Sequence, residues 1–404
     1  MSFDREIWVT GIGLLTSLGE GVESNFEALC ARINAASSNV TGAMGAYPVH
    51  ALCSVDLAAY VSARAELRQM GRWQRIGVHA AALALADAGV PSKSDILDRM
   101  HLAVAAGNGE RDIGVDAEIL AGLRTAEEAG PYLNDALARG LRPTLYLGEL
   151  SNLLAGNIQI LLKVTGSSRT FKGEETAGLA CVEDAWRRIG AGQAEIALVG
   201  GALNAEREDL LLGYELGCNL WSHPHASVWE RAEAGGGFVP GSAGVFLVLE
   251  SATHARTRGA EPYARIASVA SDHSRRAQGA AARALGRLID SACAGRSSAP
   301  LAVLSGASGV EPATGEELAV LRDRSAAVRA YGSVFGHTVE AHLPLGVALG
   351  AMALRHGSLY PPFDRSGLEK ALDEAPDDIF VTSLGHWRGE GVVKLDRVAA
   401  EAKR

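Results

Sequence analysis

The sequence predicts an α/β protein with buried, mostly parallel or mixed sheets. Strand-like apolar runs alternate with segments of helical period through almost the whole chain of 404 residues. Hydrophobic residues make up 48% of the chain and charged residues 21%, a balance typical of a globular protein with a large interior. The 47 glycines favour close packing of helices on sheets. A chain of this length is expected to contain two subdomains, or one fold made of two halves.

The first half of the chain shows the alternation most clearly. In chain order we expect a strand at Ile7–Gly13, helices at Val22–Arg32 and Gln74–Ala88, a strand at His101–Ala106, a helix at Leu150–Val164, an extended segment at Ser168–Gly173, a helix at Thr176–Gly190, and strands at Glu195–Gly201 and Gly244–Glu250. The irregular stretch Ser37–Arg64 and the polar stretch Leu220–Gly237 are expected to be surface loops or lids.

The second half repeats the pattern. Strands are predicted at Pro262–Ala270, Leu301–Gly306, Asp378–Leu384 and Gly391–Val398, and helices at Arg276–Ala294 and Leu343–Arg355. The composition shifts at about Ser251–Pro262, which is the best candidate for a boundary. We therefore expect two halves, residues 1–250 and 251–404.

Charge and targeting signals exclude several classes of partner. The net charge is −9 and no cluster of Lys and Arg is present, so we expect no nucleic acid partner. An acidic protein partner could still dock on a local basic patch, such as Arg187 and Arg188. No secretory signal or membrane-spanning run is evident, and the five cysteines are widely spaced without a CxxC. These features predict a cytoplasmic protein without membrane insertion.

Signals for cofactors and metals are weak. Gly11-Ile12-Gly13 lacks the third glycine of a dinucleotide fingerprint. His223 and His225 alternate in a polar segment without a third ligand. We expect no cofactor and no metal.

Several segments in order resemble the β-ketoacyl-[acyl-carrier-protein] synthase family. The similar segments are Val9–Gly19, Arg72–Val90, Thr170–Gly201 (TFKGEE through ALVGG), Asn152–Gly166, Pro240–Arg265 and Phe335–Gly350. Their order and spacing are preserved across nearly the whole chain. The resemblance implies a thiolase-like fold, an α-β-α-β-α sandwich of two similar halves, with a nucleophile at the tight turn before a buried helix.

The nucleophile position carries an acid in this sequence. Counting back from Gly200-Gly201, the place of the family's acylating cysteine is taken by Glu175. A carboxylate could form only a mixed anhydride with an acyl group, which water destroys, and no thioester. The N-terminus of a helix stabilises negative charge and would hold Glu175 as a carboxylate. Cys181 lies on the apolar face of the same predicted helix, where a thiol is inert.

The family's other catalytic positions can be compared one by one. Its first histidine falls on Ser305 in one register and on Ser308 in another, and its lysine falls on Gly332. The second histidine is retained as His337. The phenylalanine that gates the acyl pocket is replaced by His386, a possible gate. The resemblance therefore implies degenerate active-site positions and no catalytic residues.

These departures resemble the chain-length-factor class of the family. The resemblance implies that this chain is no enzyme on its own and pairs with an active ketosynthase as a heterodimer. The strand at Thr170–Gly173 would pair across the interface, and the chain would shape the tunnel for an acyl chain carried by an acyl carrier protein. The aromatic polyketide branch usually has glutamine where this chain has Glu175, so a polyene or fatty-acid-like product is favoured.

Two alternatives remain open. Glutamine-bearing relatives decarboxylate malonyl carrier protein to make primer units, although this reaction needs hydrogen-bond donors for the enolate. A homodimer that binds acyl carrier proteins is the other alternative.

Overall fold

The computed structural model describes residues 5–31, 45, 47–61, 64–141, 143–294, 301–364, 366–372 and 374–398. Of the predicted loop 37–64, residues 37–44, 46 and 62–63 lie outside the described part of the chain. Ten strands are described: β1 (Ile7–Leu15), β2 (His101–Ala105), β3 (Ser168–Phe171), β4 (Ile196–Leu203), β5 (Ala243–Ser251), β6 (Ala264–Asp272), β7 (Ala302–Ser305), β8 (Ala327–Ala330), β9 (Asp378–Leu384) and β10 (Glu390–Asp396).

The helices fill the connections between these strands. They are α1 (Gly21–Cys30), α2 (Arg64–Leu67), α3 (Arg72–Asp87), α4 (Asp95–Arg99), α5 (Ile113–Leu123), α6 (Ala129–Gly140), α7 (Pro143–Glu149), α8 (Leu153–Leu162), α9 (Glu175–Gly190), α10 (Glu208–Leu216), α11 (Val228–Glu233), α12 (Ala252–Thr257), α13 (Ala280–Ala292), α14 (Ala313–Asp323), α15 (Gly332–Phe335) and α16 (His342–His356). A 3₁₀ turn, Val339–Ala341, precedes α16.

The strand order repeats itself across the molecule. The described strands hydrogen-bond in the order β3-β2-β4-β5-β1-β6-β10-β9-β7-β8. Reading outward from the β1–β6 junction, the first five strands and the last five follow the same path, with β1 matching β6, β5 matching β10, β4 matching β9, β2 matching β7 and β3 matching β8. The junction is short, since only Trp8 with Arg265 and Val9 with Ala264 are paired. The division at residue 250 stays a prediction, which this repeat supports.

Two helices lie between the two halves of the sheet. Both α9 and α16 contact strands from each half. Their apolar side chains form one large cluster with the inward faces of the strands. On the outer faces, α3 and α8 cover the first half in a second cluster, and α13 and α14 cover the second half in a third. The predicted α/β class and thiolase-like five-layer sandwich are confirmed.

The central strands are buried on both faces, which explains why they read as continuous apolar runs. Every residue of β1 and of β5 is buried. A strand covered by helices on one face and by a central layer on the other has no solvent face to mark with polar residues. The sheet is mixed, because β1–β5, β4–β5, β1–β6, β6–β10 and β9–β10 are antiparallel while the outer pairs are parallel.

Several elements were not predicted from the sequence. No residue of α6 is buried, and α5 and α10 bury one residue each. The buried elements α14 and β8 were missed as well. The predicted surface loop Leu220–Gly237 is wrong in part. It contains α11, and Trp229 and Arg231 are among the most deeply buried side chains of the described chain.

The predicted basic patch also takes another form. Arg187 pairs with Glu183, and Arg188 pairs with Asp184, one turn earlier on the same helix. Both arginines are therefore partly neutralised on α9. Separately, no helix among the described residues combines the length and apolar character that crossing a bilayer requires.

Close contact between α3 and β1 generates a test of the packing. A Cβ at Gly13 would lie 1.8 Å from the Ala80 carbonyl oxygen and 2.5 Å from the Ala84 nitrogen, both in the backbone of α3. Gly13→Ala must push α3 off the sheet, and we expect a loss of roughly 3 kcal/mol in the free energy of unfolding. The measurement is the urea midpoint followed by circular dichroism.

Gly213 provides the matched control for that substitution. It lies within α10, and a Cβ there would meet no atom within 4 Å. Gly213→Ala should leave stability unchanged or raise it by up to about 1 kcal/mol, since alanine loses less entropy in a helix. An equal loss in both variants would contradict the close α3–β1 packing.

Candidate active site

Three side chains from distant parts of the chain meet at the start of α9. Glu175 is the first residue of this helix and is buried, with 4% of its surface exposed. The Nε2 of His337 lies 2.9 Å from its Oε1 atom. His386 bonds the same oxygen through Nδ1. One carboxylate oxygen therefore joins a helix of the first half to two loops of the second half.

A strained turn presents Glu175 to the interior. Glu174 adopts φ 55° and ψ −131°, outside the regions that non-glycine residues favour. The preceding Gly173 has φ 141°, and its carbonyl accepts a hydrogen bond from Thr176 Oγ1 at 2.5 Å. Such backbone strain costs about 1–3 kcal/mol and persists where the surroundings fix it. The turn directs two consecutive acids towards the interior from one end of β3.

The backbone at His337 is fixed by the first half of the chain. Its N–H donates to the Val239 carbonyl at 2.7 Å, and its carbonyl accepts from the Gly241 N–H at 3.0 Å. Gly336 has φ 69°, and a Cβ there would lie 2.8 Å from the Val239 oxygen. Glycine is therefore required beside His337.

The loop that carries His386 is held by an arginine. Arg276 Nη2 donates to the carbonyls of Gly385 and Gly389, at 2.7 and 3.2 Å. The same guanidinium pairs with the buried Glu390. The Gly385 N–H also donates to the Gly389 carbonyl at 3.0 Å, which closes the turn. These contacts hold the His386 side chain in the interior, where it is 3% exposed.

The cluster contains a buried ion pair. Burial alone would raise the pKa of Glu175, but the charge of His386 and the hydrogen bonds from both imidazoles outweigh it and hold the pKa well below its usual value of 4.5. Burial opposes protonation of His386, yet the Glu175 charge outweighs it and raises the pKa above 6.5. For His337, burial dominates and lowers the pKa. The directions of these shifts favour an ionised Glu175 paired with His386, beside a neutral His337.

Aromatic side chains shield this charge from water. The Phe238 ring lies edge-on to His337 and His386, with centroid distances of 5.3 and 5.1 Å. A third imidazole, His342, lies 4.3 Å from His337 between ring centroids. Burial, followed by the nearby His337, holds the pKa of His342 well below 6.5. His342 was missed as a site residue, although its position five residues after His337 was visible in the sequence.

The other predicted positions lie around His342. Ser305 donates to the buried Glu317 at 2.6 Å, and the Ser308 hydroxyl accepts from the Val310 N–H at 3.1 Å. A Cβ at Gly332 would lie 3.1 Å from the Ala307 oxygen and 3.9 Å from His342 Cε1. Ser305, Ser308 and Gly332 thus make these hydrogen bonds and contacts with residues other than Glu175. Their degenerate status stays a prediction.

A cavity of about 320 Å³ opens beside the cluster. It lies between the ends of β2 and β4, helix α10 and two loops of the second half. Its lining includes Glu174, Glu340, Tyr214, Arg207 and Trp387. Burial, followed by its own backbone and the charges of Glu175 and Glu174, sets the pKa of Glu340 at about 7. Neither Glu340 nor Tyr214 was singled out as a site residue, because nothing in their local sequence marks them.

The three ligand atoms of the cluster also lie close enough to consider a metal ion. Those of Glu175, His337 and His386 are within 4.8 Å of one another. Two observations weigh against a good fit. The second ring nitrogens, His337 Nδ1 and His386 Nε2, have no hydrogen-bond partner among the described residues, whereas metal-binding histidines are normally oriented through that atom. The N-terminus of α9 also repels a cation. The residues fit a proton-sharing cluster better than a metal site.

Cys181 has the inert environment that the sequence suggests. Its thiol is completely buried in α9 and contacts the Gly178 carbonyl at 3.1 Å. Burial raises its pKa strongly. A thiol in this state does not supply a thiolate nucleophile.

Comparison with known proteins agrees with this architecture. Residues 4–255 match the family described as "Beta-ketoacyl synthase, N-terminal domain". Among curated relatives, the 3-oxoacyl-[acyl-carrier-protein] synthase 2 of Rhizobium meliloti (strain 1021) is 28% identical over 276 residues, covering 65% of this chain and 63% of the relative. The protein of the same name from Vibrio harveyi is 27% identical over 271 residues, covering 65% and 61%. The match thus spans under two thirds of each relative's length.

Solved structures match nearly the whole chain. "The ishigamide ketosynthase/chain length factor" is 20% identical with a TM-score of 0.77, covering 98% of this chain and 100% of that one. A β-ketoacyl synthase from Burkholderia phymatum STM815 is 18% identical with a TM-score of 0.78, at the same coverage. A type II ketosynthase in complex with its acyl-carrier protein, AntDE:AntF, is 15% identical with a TM-score of 0.73, covering 98% and 100%. At these identities the likeness concerns the fold.

One sequence-based prediction is corrected by these relatives. The expectation that the chain is no enzyme on its own is wrong, because the curated relatives are named as an enzyme, 3-oxoacyl-[acyl-carrier-protein] synthase 2. The expectation rested on single catalytic positions, whereas the similarity extends along 65% of the chain.

The shared oxygen of Glu175 leads to a stability prediction. Glu175→Gln removes the charge that His386 and His337 face, and leaving a buried charge without its partner costs roughly 3 kcal/mol or more in the free energy of unfolding. Glu208→Gln is the control, since Glu208 is an exposed acid in the first turn of α10 and should change stability by under about 0.5 kcal/mol. Urea midpoints measure both, and equal midpoints would contradict the buried pair.

The pair also predicts a pH profile. The pKa of Glu175 is lowered. The stability that its carboxylate contributes is therefore fully present above pH 4.5 and is lost as the pH falls through the lowered pKa. The pKa of His386 is raised. The stability that its imidazole contributes is therefore fully present below pH 6.5 and is lost as the pH rises through the raised pKa. The difference in urea midpoint between wild type and His386→Gln should therefore be largest near about pH 5.5 and shrink towards about pH 9. A difference that grows with pH would contradict this assignment.

Proposed function

The chain belongs to the β-ketoacyl synthase family, and on that premise we propose that it is a chain-length-factor-like subunit of a ketosynthase complex. It pairs with an active β-ketoacyl-[acyl-carrier-protein] synthase and shapes the tunnel that holds the growing acyl chain. The partner's thiol carries that chain during elongation. The product is a polyketide, polyene or fatty-acid-like chain delivered by an acyl carrier protein.

The observation that carries this proposal is the state of Glu175. The residue lies at the N-terminus of a buried helix after a strained turn, where the resemblance puts the family's nucleophile. Both of its neighbouring imidazoles are directed at one carboxylate oxygen. The position is thus filled by a stable internal charge pair, and an acyl group held elsewhere in the complex accounts for elongation.

The two ends of the sheet support pairing with another chain through β3. At the β8 end, the Ala330 N–H donates to Glu369 at 2.7 Å and the Arg329 side chain donates to the Tyr360 carbonyl at 2.6 Å, so that edge is covered. At the β3 end, Ser168 and Arg169 are exposed. The neighbouring α8 exposes 60% of Ile160. An open edge beside an apolar side chain is a typical site of strand addition.

One observation also favours decarboxylation of malonyl carrier protein as a second candidate. This reaction needs donors that stabilise an enolate, and sequence comparison alone left only His337. The structure adds His386 beside it, and although burial opposes protonation of this imidazole, the Glu175 charge raises its pKa above the usual value. The curated relatives are named as an enzyme, which agrees with residual chemistry at this site.

Co-expression with a candidate partner ketosynthase from the same organism tests the proposal. Size exclusion with light scattering gives the stoichiometry, and malonyl-dependent elongation and release of CO₂ are measured for each species. A one-to-one complex that elongates supports the subunit. Release of CO₂ from malonyl carrier protein by the chain alone favours the decarboxylase, and a stable homodimer without either reaction favours a carrier-binding protein.

Thr170→Pro tests the interface directly. The Leu102 N–H donates to the Ser167 carbonyl, and the Ala106 N–H donates to the Phe171 carbonyl. Odd-numbered residues of this segment therefore direct their backbone groups at β2, and the N–H of Thr170 points away from β2. Proline removes that donor and should weaken the complex at least about tenfold, while the fold is kept. Thr170→Ala retains the N–H and is the control. Undiminished assembly of the proline variant would contradict pairing through β3.

A further inference from the structure

We propose that the cavity beside Glu175 binds a primary ammonium group at the end of a short acyl or alkyl chain. This proposal deepens the proposed function. It rests on that function in one respect, namely that this cavity is part of the acyl tunnel. Recognition of the ammonium group itself is argued from the cavity lining alone.

Two carboxyl groups, those of Glu174 and Glu340, belong to the polar part of the cavity lining, which also contains Asn108, Arg207 and Asp209. Glu340 is 5% exposed, and its Oε1 would lie only 2.3 Å from a Cβ at Gly107, so the carboxyl packs directly over that glycine. Glu174 reaches the same cavity from the strained turn before α9. The charges of Glu174, Glu175 and Glu340 all act on the Tyr214 hydroxyl. Glu174 and Glu340 therefore reach the same cavity from two different segments of the chain.

The positive groups around this space are already engaged. Arg207 donates to Asp209 at 3.0 Å and to the Gly109 carbonyl at 2.7 Å. His386 bonds Glu175. Arg388 is exposed to solvent and acts on Glu174 from a distance. Lys172 donates to Asn108 Oδ1 at 3.1 Å at the edge of the cavity. Arg207 acts on Glu340, and His386 and Arg388 act on Glu174, but none of these groups bonds either carboxyl directly in the described part of the chain. Both acids therefore remain open to a cation.

The remaining walls suit an ammonium group as well. Trp73, Tyr214 and Trp387 line the cavity. Trp387 is 53% exposed, which places it where the cavity meets solvent. Aromatic faces attract cations, and together with carboxylates they form a typical lining of amine-binding sites. A saturated alkyl end would gain little here, because it would remove water from two acids and return no hydrogen bond.

The sign of the pH dependence separates an ammonium ligand from a neutral one. The pKa of Glu340 is about 7. An ammonium group prefers the ionised acid, so it binds more tightly above this value. A keto or hydroxyl group prefers the protonated acid as a donor, so it binds more tightly below it. Alkylammonium ions keep their charge throughout, since their pKa resembles that of lysine at ~10.4.

The experiment titrates the full-length chain, alone and in its ketosynthase complex, with hexylammonium, hexanol and hexanoate. Tryptophan fluorescence reports binding, because Trp73 and Trp387 line the cavity. At about pH 8 we expect hexylammonium to bind at least about tenfold more tightly than hexanol, and hexanoate to bind most weakly. Lowering the pH to about 6 should weaken hexylammonium binding several-fold.

Variants assign the effect to the cavity. Glu340→Gln should weaken hexylammonium binding at least about tenfold and remove most of its pH dependence, while hexanol binding at about pH 8 is kept or strengthened, since the amide donates as the protonated acid does. Trp387→Ala, at the exposed mouth, should also weaken hexylammonium binding and tests the cavity without a change in the core. Glu208→Gln is the control for general surface charge, since Glu208 is exposed on α10.

The outcomes distinguish this inference from the proposed function. Hexanol or hexanoate binding as tightly as hexylammonium, or hexylammonium binding that strengthens as the pH falls, would overturn the ammonium site even where the complex forms. Selective binding of hexylammonium by a chain that never joins a ketosynthase would support the site and count against the proposed function.

Discussion

The buried oxygen of Glu175 is the point at which both halves of this molecule meet. It accepts hydrogen bonds from His337 and His386, which belong to loops of the second half, while Glu175 itself begins a helix of the first. The strained backbone at Glu174 persists because these contacts and the packing of α9 fix it. The strand-to-helix turn, the two loops and the position of the central helix are therefore set together, and none of them can change without disturbing the ion pair.

The sandwich supplies the low-dielectric surroundings that give this pair its strength. Helices α9 and α16 lie between two half-sheets with the same strand order, so the start of α9 is covered from both sides. Phe238 covers the two imidazoles from a third direction. Water is excluded, and the charges of Glu175 and His386 act on each other with little screening. Repetition of the fold thus creates an interior in which a carboxylate and an imidazolium are stable only together.

Sequence patterns predicted the fold well because its main strands and helices are continuous apolar runs. The central helix was predicted at Thr176–Gly190 and begins one residue earlier, at Glu175. The assignment of Glu175 and His337 to the family's catalytic positions stays a prediction. The contact between Glu175 and His386 was out of reach, since the two residues are 211 positions apart and no local pattern encodes that distance. Glu340 escaped for a similar reason, because its carboxyl is functional only in relation to Gly107 and Glu174, which lie on other elements.

The charges in this interior are difficult to explain by stability alone. Replacing a buried ion pair with well-packed apolar residues is often neutral or stabilising, so folding does not require Glu175 and His386. Glu340 adds a third acid whose pKa is raised to about 7 by burial, which itself opposes ionisation. The cavity beside the pair is lined by Glu340 and reaches solvent at Trp387. An arrangement that costs stability and opens onto a cavity is expected where the groups act on a ligand. The ion pair then fixes the wall of the cavity, and Glu174 and Glu340 give that cavity its selectivity.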